Sequence, residues 1–396
     1  MDYLAGLKRY RILQPADLNA EAVYQNSVKR IDVFNSYMGY AMFKRKISLL
    51  NFPFMWGICS LPIFLYLVIE TAYWYRQDIE KALMSITTFG FGIQMASKVY
   101  TFVLKRKRII DVHDMNMGYF NVDSMGSLEV QKSLSKNSSL TYILISIILT
   151  GYIILVGVVA AAPALYGLVA SDPLLPLGFE IIHSDSWIAY WINYSIQLSM
   201  CYYAAMLTTT SDATFILYIL TSTGHIDAII GLLDELGDMA SQQVDENQIS
   251  EHLTKILQVH QYHFHYMRKI EDLFKVYFLI AIASLWACIT ISLAAFVLIN
   301  WYIGAVVVCF ASCQIFFMCF LGTHMQLKSE ELMLKVGSFA WYTLPLRDQK
   351  RAILFLAATQ SPITLSAIMA RLDVAAYLKI HKAVYSMLMV LLQVKI

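Results

Sequence analysis

The sequence predicts an all-α integral membrane protein with seven transmembrane helices, a cytoplasmic N-terminus, an extracellular C-terminus and a cytoplasmic helical anchor. Three observations predict it: a deficit of charge, seven long apolar runs, and a lopsided distribution of Lys and Arg. Of 396 residues, 58% are hydrophobic and 15% charged, where a soluble domain carries about 25% charged residues. That deficit places the chain in a bilayer. The net charge of +2 leaves no electrostatic footprint for nucleic acid.

A spanning helix needs about 20 mostly apolar residues. Seven segments meet that need: Leu50–Tyr75, Ala82–Leu104, Leu140–Leu168, Trp187–Leu220, Val276–Asn300, Tyr302–Thr323 and Val374–Val394. The fourth is over-long and continues beyond the bilayer. The seventh carries Lys379, His381 and Lys382 in its first half. The first 48 residues are polar and basic without an apolar h-region, so insertion falls to the first span.

Cytoplasmic loops hold the excess of Lys and Arg. The segments before the first span and after the second, fourth and sixth carry 24 of them, and the alternate set carries 3. This orientation is the reverse of a G-protein-coupled receptor. In agreement, no Asp-Arg-Tyr follows the third span, no Asn-Pro-x-x-Tyr closes the seventh, and loop 169–186 has no cysteine.

Two stretches outside the spans read as helices. Ile226, Ile229, Ile230, Leu233 and Leu236 form a helix-period stripe in 221–272. Leu344, Leu346, Ile353, Leu354 and Leu356 do so in 343–372, up to Pro362. Such amphipathic helices pack either within their own chain or between subunits. The absence of an internal repeat weakens a secondary transporter built from inverted repeats. The six cysteines, Cys59, Cys201, Cys288, Cys309, Cys313 and Cys319, all fall in apolar runs. That excludes a disulfide framework and CxxC metal sites; as buried thiols they behave as small hydrophobes.

The run Gln314-Ile-Phe-Phe-Met-Cys319-Phe-Leu-Gly322 resembles the Gln-Leu-Phe-x-Tyr-Cys-x-x-Gly of insect odorant receptors. Ser329, Leu332, Trp341 and Tyr342 keep that family's downstream spacing, and Gln360 with Pro362 matches its Gln-x-Pro. Lys382-Ala-Val-Tyr385-Ser386 is similar to the Lys-x-x-Tyr-Ser of its last helix. His260, Ile270, Glu271 and Phe274 fit its His-x9-Leu-Glu-x-x-Phe pattern, and Pro173-Leu-Leu-Pro176 is similar to its proline-rich loop. The motifs are individually weak but occur in order over the C-terminal half. Lys335, Gly337 and Ala358 depart from the family pattern. A gustatory receptor-type channel is the rival, and Leu391 stands where its signature needs Gln.

The resemblance implies a tuning receptor: a ligand-gated, non-selective cation channel subunit opened by a small volatile organic molecule. Its implied partners are the family's shared co-receptor, in a heterotetramer, and membrane lipid. The implied location is the plasma membrane of a sensory neuron dendrite. The chain then divides into a cytoplasmic segment 1–49, spans one to four in 50–220 with an outer-half ligand pocket, and a helical extension 221–272. Spans five and six occupy 273–323, the cytoplasmic anchor 324–372 and the pore-lining seventh helix 373–396.

On a helical wheel Lys379, Lys382, Ser386, Val390 and Gln393 fall on one stripe about 80° wide. Polar residues at bilayer depth are costly unless they face water or protein. One such helix encloses no water path, but several copies around an axis do. Met389-Val-Leu-Leu-Gln-Val-Lys395 resembles the end of the co-receptor's last helix, which implies a constriction of Val390, Gln393 and Val394 above Lys382 and Ser386. The alternative is that the lysines snorkel to the interface and Gln393 caps the helix end.

A small volatile needs an apolar, aromatic-lined cavity. The outer halves of spans two to four offer Thr88, Phe89, Phe91, Tyr152, Val156, Tyr190, Tyr194 and Leu198, the last three at i, i+4, i+8 on one face. Aromatics there also serve as an interfacial belt. His260, His263 and His265 lack carboxylate or Cys partners at ligand spacing, so no metal site is expected. Lys98 and Lys275 are expected to snorkel. The sequons at Asn137 and Asn193 fall in a cytoplasmic loop and a span. No nucleophile triad, P-loop or dinucleotide fingerprint is present, so neither an enzyme nor a cofactor is expected.

Overall fold

The computed structural model describes residues 19–43, 51–123, 128–170, 175, 177, 179, 181–182, 186–242, 244–299, 302–361, 363–367 and 370–394. Ten α-helices carry the described chain: α1 (Ala20–Tyr37), α2 (Phe52–Trp74), α3 (Ile79–Lys98), α4 (Arg106–Asp123), α5 (Leu128–Ala170), α6 (Trp187–Ser241), α7 (Glu246–Ile299), α8 (Tyr302–Ser338), α9 (Leu346–Thr359) and α10 (Val374–Val394). A six-residue π-helix, Val99–Leu104, extends α3. The strands β1 (Ser366–Ala367) and β2 (Ala370–Arg371) pair antiparallel, Ser366 opposite Arg371.

Helices α2, α5, α6, α7 and α8 are long and apolar enough to cross a membrane. The other two predicted spans, α3 and α10, are 20 and 21 residues long and carry the charges Lys81 and Lys98, and Lys379 and Lys382, within them. The apolar runs do not end where the helices do. Spans four and five continue without a break into the segment 221–272, where α6 ends at Ser241 and α7 begins at Glu246 to form a hairpin. The core of the molecule lies along α6, whose most apolar window is 78% buried against 17% in α2.

At the hairpin end, called the anchor end below, α4, α8 and α9 pack against α6 and α7. The helix-period stripe predicted there is the buried face: Ile226, Ile229, Leu233 and Leu236 are all in the core. Arg351 of α9 pairs with Asp348 at 2.9 Å and donates to Thr254 Oγ1 of α7 at 2.6 Å. The β2–α10 connection crosses α8 at Gly322, where a Cβ would collide with the Leu372 carbonyl oxygen. Gly39, at φ +70°, turns the chain after α1, in the left-handed region that glycine tolerates.

Two expectations need correction. Lys98 does not snorkel: it is fully buried and pairs with Asp212 of α6 at 3.1 Å. A polar partner within reach costs less than hauling the charge to an interface. The cysteines are free, but only Cys288 and Cys319 are buried; Cys59, Cys309 and Cys313 lie on the outside of the chain. Lys275 is partly exposed and pairs with Asp272 at 2.6 Å.

Candidate functional site

Helix α10 is amphipathic in an unusual sense for a membrane segment. Val384 turns inward against a cluster of Leu285, Ile289, Ala311, Ile315 and Cys319 from α7 and α8, and Leu388, one turn on, is buried too. His381, on the same side, faces the Ser312 hydroxyl at 3.1 Å. At 100° per residue the stripe of Lys379, Lys382, Ser386, Val390 and Gln393 lies about 170° away from that packed face. All five are exposed on the single chain, Val390 by 53%. The side chain of Val394 lies outside the described residues. The start of α10 is held rigidly: Val374 N donates to Thr323 Oγ1 at 3.0 Å and Ala376 N to Asp373 Oδ1 at 2.6 Å.

An apolar cavity of about 150 Å³ lies between α2, α3 and α6. Small residues make the room. A Cβ on Gly57 would stand 2.8 Å from the Tyr203 ring, and one on Gly92 2.8 Å from the Phe64 ring. Two hydroxyls on its wall are spent locally: Ser60 Oγ donates to Gly57 O at 2.9 Å and Tyr40 OH to Phe102 O at 2.7 Å. The remaining wall is Phe54, Phe64, Phe91, Met95, Met200 and Leu207 among others. Such a wall selects for hydrocarbon over hydrogen-bonding groups.

Of the predicted ligand residues, Phe91 lines this cavity. Phe89 packs beside it in a cluster with Leu67, Val68, Phe179 and Met200. Thr88 donates its hydroxyl to Ser85 O at 2.8 Å. Tyr190 and Tyr194 are buried, their rings 5.9 Å apart and each edge-on to Trp191. Leu198 is half-buried on the same helix. Tyr152 turns elsewhere, donating to Asp212 Oδ2 at 2.8 Å. The side chain of Val156 and most of the loop with Pro173 and Pro176 lie outside the described residues.

Sequence reasoning missed the cluster centred on Asp212. One carboxylate of α6 takes Lys98 from the end of α3 on one oxygen and Tyr152 from α5 on the other. The signal was available: Thr208-Thr-Thr-Ser-Asp212 is a polar run inside an apolar span, where an ionisable residue marks a site. The three histidines separate. His265 is exposed, and His260 lies edge-on to Phe355. His263 is buried with its ring centroid 5.8 Å from His225, which meets Asn116 Oδ1 at 2.9 Å.

Long membrane-competent helices, a helical anchor joined to them without a break, and a last helix packed by one face with a polar stripe on the other define a multi-pass receptor or channel of the seven-helix type. The 7tm Odorant receptor family matches residues 78–385, and the chain belongs to that family. Its fold is similar to that of the insect olfactory receptor OR5 from Machilis hrabei, with TM-score 0.71 at 15% identity over 93% of this chain and 98% of that one. The same receptor in complex with eugenol aligns with TM-score 0.70 at 14% identity, covering 94% of this chain and 99% of that chain. The motif residues acquire physical roles here. Ser329 Oγ accepts from Ile363 N at 2.9 Å, Glu271 takes the Ser366 hydroxyl at 2.5 Å, and Ile270, Phe274 and Cys319 are fully buried.

Proposed function

We propose that this chain is the odorant-sensing subunit of a cation channel, with its N-terminus in the cytoplasm and α10 lining the pore. The observation that carries the reading is the stripe on α10, set opposite the face by which the helix packs. A face of Lys, Ser and Gln turned to lipid would be costly; turned to a symmetry axis, it lines water. Val390, Gln393 and Val394 would form the narrow end, where an apolar ring gates by dewetting. Lys382 and Ser386 would line the wider space nearer the anchor.

The ligand is a small volatile held in the apolar space that Phe91 borders, with Thr88, Phe89, Tyr190, Tyr194 and Leu198 further along the same helices; Tyr152 is turned to Asp212. The OR5 complex with eugenol supports a ligand of this class. To open the pore, the ligand must bind the open state more tightly than the closed one. The partner is the co-receptor of the family, in a heterotetramer in the plasma membrane of a sensory dendrite.

The test is current recorded from cells expressing this chain with and without the co-receptor across a panel of volatiles. Odorant-evoked cation current that requires both chains is expected. Current absent despite surface expression overturns the channel reading. Phe91→Ala should raise the half-maximal concentration of the best ligand about tenfold; an unchanged value places the ligand elsewhere.

A further inference from the structure

Two lysines on α10 differ from the others that lie within or beside the long helices. Lys98, Lys275, Lys328 and Lys335, on α3, α7 and α8, each pair with a carboxylate, those of Asp212, Asp272, Asp227 and Asp234 in turn. Lys379 and Lys382 are exposed on the unpacked face of α10, and among the described residues neither meets an acidic side chain. Helix α10 has no Asp or Glu of its own. Asp373, just before it, accepts from Ala376 N at 2.6 Å at the helix start. His381, between the lysines, is turned to Ser312 on the packed side. Ser386 donates to Lys382 O at 3.0 Å, so its hydroxyl is spent on the helix. Two unbalanced ammonium groups on a membrane helix need water around them.

Their depth follows from how α10 begins. Val374 N donates to Thr323 Oγ1, which sets the start of α10 level with the anchor end of the sixth predicted span. At 1.5 Å per residue Lys379 stands about 8 Å along the axis from there, Lys382 about 12 Å and Val390 about 24 Å. Helical side chains lean back toward the N-terminus, here toward the anchor. The two charges therefore lie on the anchor side of Val390, at the mouth and not at the narrow end.

We propose that Lys379 and Lys382 form a cationic collar at the anchor-side mouth of the pore, which restricts cations entering from that side. The proposal rests on the reading that α10 lines the pore. Repulsion scales with the valence of the ion, and salt screens it over about 8 Å at 0.15 M and about 30 Å at 0.01 M. For a cation about 10 Å away through water, the two charges of one copy lower the local concentration about 1.5-fold at the higher salt and about threefold at the lower. A divalent cation is depleted by the square of those factors. Cations arriving from the opposite side reach the narrow end before the collar, so the channel passes them inward more readily than outward.

The test uses inside-out patches from cells expressing the full chain with the co-receptor, the channel being opened by the most active volatile of the panel. Unitary currents are recorded in symmetrical NaCl at 0.15 M and 0.01 M. The double variant Lys379→Gln/Lys382→Gln should raise the outward unitary current about 1.5-fold at the higher salt and about threefold at the lower. With Ba2+ on the anchor side the gain should be larger than with Na+. Lys379→Arg/Lys382→Arg should keep the wild-type currents, and Lys379→Glu/Lys382→Glu should raise the outward current further. Unitary current does not depend on how many channels reach the surface, so poor expression of one variant does not mimic the result. Outward currents that are the same in the Gln, Glu and wild-type channels would overturn the collar. So would a gain that is equal at both salt concentrations, or one confined to inward current. Val390→Ser separates this failure from that of the pore reading. If it alters conductance while the lysine variants do not, α10 lines the pore without a collar; if none alters it, both readings fall.

Discussion

Asp212 holds three helices with one carboxylate, because Lys98 and Tyr152 approach different oxygens. Removing one partner of a buried pair leaves the other charge unpaired, at a cost of about 3–5 kcal/mol. Lys98→Met should therefore lower the thermal midpoint of the purified protein sharply, and the double variant Lys98→Met/Asp212→Leu should regain most of it. A double variant no better than the single one would mean that the ion pair does not set the cost. The buried histidines make a separate prediction. Burial and the neighbouring His260 push His263 down to about 3, and burial with the neighbouring His263 holds His225 well below its ordinary value. Unfolded imidazole titrates near 6.5. Between these values the unfolded chain binds protons that the folded one refuses, so stability is full above pH 6.5 and falls as pH drops toward 3. The slope is about 1.4 kcal/mol per pH unit for each histidine once pH is well below 6.5. His263→Leu should flatten the pH dependence of thermal unfolding measured between pH 7 and 5; an unchanged slope would show that this ring is not held neutral by the fold.

At the scale of elements, α10 and its approach carry the most. Replacing Gln393 with Glu, or Val390 with Ser, should change relative ion permeability or unitary conductance in recordings with the co-receptor. Unchanged values in both variants would remove α10 from the pore wall. Gly322 is a different case, since a Cβ there meets the Leu372 carbonyl and not a flexible side chain. Gly322→Ala should displace the chain entering α10 and destabilise by about 2 kcal/mol or more, measured as a lower thermal midpoint and reduced surface expression. The hairpin of α6 and α7 shows why anchor and membrane domain form one body. Neither helix breaks on leaving its span, so a tilt at one end moves the other.

For the whole molecule, much was legible in the sequence, and the reasons are specific. Hydropathy located the five helices that are long and apolar enough to cross a membrane, because a bilayer demands about 20 apolar residues in a row. Helix periodicity located the buried stripe of Ile226, Ile229, Leu233 and Leu236 because burial selects one face. The stripe on α10 was legible for the same reason in reverse, since its polar residues repeat at helical spacing. The cavity was not, because its wall joins Gly57 of α2 to Tyr203 of α6 across nearly 150 residues, and no local pattern records such a meeting. Nor was the fate of Lys98, whose partner lies on another helix. What the sequence by itself determined was the apolar helices, the buried stripe of 226–236, the polar stripe on α10 and the family, because each is written in local composition and spacing; α1 and α4 it did not foresee. The tertiary structure alone decided which charges found partners, where space remained between helices, and which face of α10 was left unpacked, because these depend on contacts between residues far apart in the chain.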